Sequence, residues 1–213
     1  MQLLRMPHFL IALLPLACSH KNPHLTLVPG KNQNAESNII ILDRQIADAI
    51  QRLTTRSALF NTAWQEIRES NLPLIIGTPD QLQNLVPDPL AYQLLDRYGA
   101  SAFAHDDMSG FVTSAVVSID VARIFSYGLE RGNSLLARDA LDIILIHEIY
   151  GHVAPVAKTR QIGSLCPDPE PGQPYANSCV GRREREVLIE LGRRARSGYP
   201  LDLRAWRITW GPQ

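Results

Sequence analysis

The chain has 213 residues, enough for one domain of ordinary size once a short leader is set aside. Lys+Arg and Asp+Glu are equal at 21 each, so nothing in the charge balance points to nucleic acid or to an acidic partner. Hydrophobic residues at 45% and charged residues at 20% are a globular composition, and after the N-terminus no run approaches the ~20 apolar residues of a membrane crossing.

Residues 1–18 read as an export signal. Arg5 supplies a positive start, Phe9 to Leu16 a short apolar core, and Ala17-Cys18 precede a polar stretch. LPLAC resembles a bacterial lipoprotein box, which implies lipidation of Cys18 and a membrane anchor at the cell envelope or periplasm. Ordinary signal cleavage near this point and a buried apolar N-terminus are the alternatives. Residues 19–37, polar with Pro23, Pro29 and Gly30, read as a flexible tether. Residues 38–213 are then a single domain.

Asn38 to Ser70 lacks Gly and Pro and spaces Ile41, Ile46, Ile50, Leu53, Leu59, Trp64 and Ile67 as a helix does, which predicts one long helix or two joined near Thr54-Thr55. Leu72 to Ile76 reads as a strand ended by Gly77, with Thr78 capping the turn that follows. Asp88 to Tyr98 is a predicted helix, Ser101 to His105 a predicted strand, and Gly110 to Ile124 the best strand candidate in the chain. Ser134 is the expected cap of the next helix. The expected fold class is α+β, mostly helical, with a small mixed or antiparallel sheet ahead of the helix that carries the site.

That helix ends in LDIILIHEIYGHV, Leu141 to Val153. In a zinc hydrolase helix of the H-E-x-x-H type, two His at i and i+4 lie roughly 40° apart and share one ion, with the Glu as general base. Here His147 and His152 are five positions apart, which on a regular α-helix turns them about 140° from one another. A π-bulge would return them to one face, and Gly151 tolerates the backbone this needs. The bland alternative is an amphipathic helix end with two ordinary histidines and a Gly at its stop.

HEIYGH resembles the expanded H-E-x-x-G-H motif of the dipeptidyl-peptidase III family of zinc peptidases. The likeness covers this motif and a later segment only. It implies a small zincin-like fold of the Glu-ligand (gluzincin) type, Zn²⁺ as cofactor, and a peptide or protein as substrate. In that family a Glu on a later helix, in an E-E-x-R-x-E-like segment, completes the ligand set. Arg182 to Gly192, RREREVLIELG, matches loosely. The resemblance therefore implies His147, His152 and Glu184 as metal ligands, with Glu186 the other candidate, and Glu148 as catalytic base. Tyr150, Tyr175 and His105 are open candidates for the oxyanion donor.

Between motif and later helix runs a loop, Pro155 to Asn177, too rich in Pro and Gly to hold itself by secondary structure. With Cys18 lipidated or removed, Cys166 and Cys179 remain as an even pair, and an oxidising compartment would join them, which stabilises such a loop by roughly 3 kcal/mol in the chain-entropy model. Two buried free thiols are the alternative. Cys179 to Ser197 is a predicted helix with Arg182, Arg183, Arg185, Arg193, Arg194 and Arg196 outward and Leu188, Ile189 and Leu191 inward. A different class of function stays open beside the hydrolase: an inactive zincin-like lipoprotein that serves as a binding or scaffolding module.

Overall fold

A computed structural model describes residues 38–83, 85, 100–130, 134–169 and 173–196, all within one unit, Glu36–Gln213. The signal, Cys18, the tether, the helix expected over Asp88–Tyr98 and the C-terminal stretch with Trp206 and Trp210 lie outside these residues.

Strand β1 (Ile39–Ile41) opens the described chain. Its three consecutive isoleucines stand where the sequence suggested the start of a helix. Helix formation waits for Asp43, whose carboxylate accepts from the Gln45 and Ile46 amides at 2.8 and 3.0 Å and starts α1 (Arg44–Arg56). Ser57 ends α1 and caps α2 (Ala58–Glu69) by accepting from the Phe60 amide at 3.0 Å. The expected long helix is thus two, broken at a serine. Strand β2 (Leu74–Gly77) and a one-turn helix α3 (Pro79–Leu82) follow; at α3 the Gln81 side chain accepts from the Thr78 amide.

Strands β3 (Ala100–Asp106) and β4 (Val112–Ile119) form a hairpin whose turn is held by Asp107, which accepts from Ser109 and Phe111, with Gly110 at φ 79°. The long strand expected up to Ile124 stops at Ile119. Asp120 accepts from the Arg123 amide at 2.9 Å and opens α4 (Val121–Glu130). The sheet order is β1-β2-β4-β3, with β1, β2 and β4 parallel and β3 antiparallel to β4. This is an α+β fold with a small mixed sheet.

Strand alternation sorts the sheet's two faces. Leu74, Ile76, Ala115 and Val117 face the main core, together with Ala102 and Ala104 of β3. Ile75 and Val116 face a smaller cluster with Leu82. Packed into the main core are α1, α2 and one continuous helical run: α5 (Ser134–Leu145), a π segment (Ile146–Val153) and α6 (Ala154–Thr159). By length and composition Arg138–Thr159 is apolar enough to cross a membrane, but 94% of its window is buried inside the protein, so burial in the core accounts for its hydropathy. The loop expected from Pro155 starts only at Arg160, which ends α6 in the left-handed conformation at φ 56°.

Helix α7 (Cys179–Glu190) is capped by Ser178 and lies against the π segment. It is shorter than the sequence suggested. Gly192, at φ 68°, turns the chain away before the expected end at Ser197. Two side-chain expectations change with it. Ile189 is exposed, and Arg196 is buried, at 57% and 3% relative exposure. Glu190 accepts from the Ala58 amide at 2.7 Å and from Ser57, and so caps α2 from a distance.

Candidate metal centre

The π segment spans eight residues, all buried. Within it the backbone bonds lengthen to i−5, as in Ala154 N–H to Ile149 O. That wider turn brings His147 and His152 onto one face with their Nε2 atoms 3.2 Å apart. Gly151 serves this arrangement differently from what its backbone freedom suggests. A Cβ there would stand 2.5 Å from Val180 Cγ2, so the missing side chain is what lets α7 approach the π segment.

The third member of the cluster is Asp168. Its Oδ1 lies 3.3 Å from His147 Nε2 and 3.3 Å from His152 Nε2. His147, His152 and Asp168 form a group that could hold a metal ion. Donor atoms around a tetrahedral zinc, with bonds of about 2.0–2.1 Å, stand roughly 3.3 Å from each other. The three separations here therefore already match three corners of such a tetrahedron. The imidazoles are buried, while the Asp168 side chain keeps 45% of its surface in contact with solvent, so the cluster has an open side.

Glu184, expected as a ligand, occupies a different place. Its Oε2 is 3.2 Å from Nδ1 of His147, the nitrogen on the far edge of the ring. Glu184 has no exposed surface, and Arg196 grips both of its oxygens, Nε to Oε1 at 2.6 Å and Nη2 to Oε2. The Tyr175 hydroxyl donates to Glu184 Oε2 at 2.5 Å, lies 3.0 Å from His147 Nδ1 and accepts from Arg196 Nη2 at 2.6 Å. Glu184 is therefore the carboxylate that orients His147 from behind. Glu186 is engaged by the Tyr150 hydroxyl at 3.0 Å.

His152 is oriented by backbone. Its Nδ1–H donates to the Cys166 carbonyl at 2.6 Å, which turns Nε2 toward the cluster. Cys166 is joined to Cys179 in a disulfide with Cα atoms 5.3 Å apart. The bridge packs with Tyr175 and Val180 in a small cluster of its own.

The electrostatics favour positive charge at the cluster. Burial opposes a charge on His147, but the Asp168 and Glu184 carboxylates outweigh it and push its pKa up to about 9. Burial would raise Asp168 as well, yet hydrogen bonds from the two imidazoles hold it well below the usual carboxylate range. Burial likewise pushes Glu184 upward, and Arg196 and His147 reverse this, lowering it to about 2. Glu148, 6% exposed, is raised by its burial, against the pull of both imidazoles.

None of the three oxyanion candidates is placed for that task. Tyr150 donates to Glu186, and Tyr175 is engaged on the Nδ1 side of His147. His105 alternates with Ala102 and Ala104, which places it on the opposite face of the sheet from the π segment. Sequence reasoning missed Asp168 and Arg196. The available signal for Asp168 was its setting, Pro167-Asp168-Pro169 directly after Cys166, where two fixed φ angles and a crosslink stiffen the loop.

No protein-family model, no curated protein and no solved structure matches this chain.

Proposed function

We propose that this protein is a zinc-dependent hydrolase of peptide bonds, with His147, His152 and Asp168 holding the metal and Glu148 as general base. The observation that supports this most is the triangle of 3.2, 3.3 and 3.3 Å between two imidazole nitrogens and one carboxylate oxygen, beside a buried glutamate of raised pKa. A zinc held there would act as a Lewis acid and lower the pKa of water at its open position to ~7. Glu148 takes a proton from the attacking water and delivers it to the leaving amine, a role suited to a carboxyl whose proton affinity burial raises. Glu184 and the Cys166 carbonyl keep the two imidazoles in the tautomer that presents Nε2. The helix order and the outer position of β3 agree with a zincin-like arrangement, in which a peptide substrate pairs with the strand nearest the site. Export on a lipid anchor at Cys18 belongs to the same reading, supported by the leader-like residues 1–18 and by the disulfide.

Elemental analysis of protein purified without chelator tests the reading, with one zinc per chain expected. Glu148→Gln should keep the metal and lower peptide hydrolysis by about 10²–10⁴-fold. A folded protein that takes up no metal would leave the binding or scaffolding module as the better account.

A further inference from the structure

The Cys166–Cys179 bridge joins the candidate metal centre to its surroundings more closely than a loop staple needs to. One half-cystine supplies the carbonyl that accepts from His152 Nδ1 at 2.6 Å. The same residue stands two positions before Asp168, with only Pro167 between them. The other half-cystine opens α7, the helix that carries Glu184 to His147. Val180, next to Cys179, is the residue Gly151 makes room for. One covalent bond thus ties the loop bearing a ligand and an orienting carbonyl to the helix bearing the other orienting group. Among the described residues, no other crosslink holds this loop to α7.

We propose that the disulfide is a redox control on the cation site: oxidised, it holds the Cys166 carbonyl and the Asp168 loop at the imidazoles; reduced, it frees the orienting carbonyl and loosens the loop, and metal affinity falls. This rests on reading His147, His152 and Asp168 as a metal centre. The step itself is ordinary exchange with a thiol such as glutathione. Two glutathione thiols become one glutathione disulfide, and the Cys166–Cys179 S–S bond becomes two S–H groups. Loss of an orienting partner typically costs 10–100-fold in metal affinity, and that is the effect expected here.

Linkage makes the control reciprocal. If the bridge strengthens zinc binding by some factor, zinc must favour the bridge by the same factor.

The test is a zinc titration against a chromogenic chelator, comparing the oxidised protein with the Cys166→Ser/Cys179→Ser double variant. The variant should bind 10–100-fold more weakly while its far-UV circular dichroism stays that of the parent. A folded variant of unchanged affinity would overturn the proposal. If the variant does not fold, the parent protein answers the question in graded glutathione buffers, with the thiols counted by alkylation. Excess zinc should move the midpoint of reduction to more reducing conditions by about 30–60 mV, the equivalent of 10–100-fold. No shift, or a shift in the other direction because the freed thiolates capture zinc, sinks it. If the oxidised parent binds no zinc at all, the metal reading falls and takes this one with it. If the parent binds and the bridge makes no difference, only the redox control falls.

Discussion

The two imidazoles of the cluster share one face of the π segment but are held by opposite means. Among the described residues, Glu184, Tyr175 and Arg196 stand behind His147, all buried and mutually hydrogen-bonded. Behind His152 stands a backbone carbonyl, fixed by a disulfide in a proline-rich loop. The first support is built into the packed interior. The second is applied from outside the helices by a covalent tie. A buried network of charges is costly to disturb, because each group left alone keeps its desolvation penalty. A carbonyl cannot be removed by changing its own side chain, so the second support yields only to changes in the loop that carries it.

The largest effect should come from the loop side. Asp168→Ala removes a proposed ligand, so zinc binding should be lost while the far-UV circular dichroism of the metal-free protein stays that of the parent. Glu184→Gln, on the interior side, should weaken zinc only 10–100-fold, because it removes an orienting group. Equal losses in the two titrations would erase the distinction. Next in size is Arg196→Met, which leaves Glu184 buried without its cation. Breaking a buried pair in this way costs about 3–5 kcal/mol, readable as a lower midpoint in urea. A change below ~1 kcal/mol would mean that the interior network is not structural. Gly151→Ala comes third, since its Cβ would meet Val180 Cγ2 at 2.5 Å. Overpacking of this kind costs about 1–3 kcal/mol, and Val180→Ala in the same chain should recover part of it.

The smallest effect is expected at the remote cap. Hydrogen bonds from Ser57 and from the Ala58 and Leu59 amides outweigh burial and hold the Glu190 carboxyl below its ordinary value. A carboxylate depressed in the folded state stabilises the fold above its unfolded pKa of about 4.5, and that contribution disappears as pH falls through the folded value. Glu190→Gln should therefore cost under ~1 kcal/mol near neutral pH, and the difference from the parent should close in acid. A difference that persists at low pH would show packing, not charge, at work there.

The interior half of the site was partly legible in the sequence. The five-residue spacing of His147 and His152, with a glycine inside it, already implies a widened helical turn, since no regular helix serves both rings. What the sequence could not give is the reason for the glycine, which lies in a contact with Val180 on another helix. Arg196 was misplaced because it ends a run of arginines whose spacing continues α7. The left-handed turn at Gly192 removes it from that series and sends it inward. Strand β1 was hidden because three isoleucines directly before a capped helix fit a helical pattern as well as an extended one. Asp168 was hidden for a different reason. Its role depends on where the crosslinked loop returns to the π segment, and that is a tertiary distance with no local periodicity to announce it.

The wide turn also absorbs the motif's extra residue. Deleting Ile149 would restore the common spacing of the two histidines, and an α-helical turn in place of the π segment would leave the residues after it on their present faces. Val153, Ala154, Val156 and Ala157 would stay in the core, and Arg160 would keep its reach to the Val112 carbonyl. The longer motif is thus a local insertion that the helix takes up within a turn or two, so what it alters is the stretch between the histidines and not the packing beyond them.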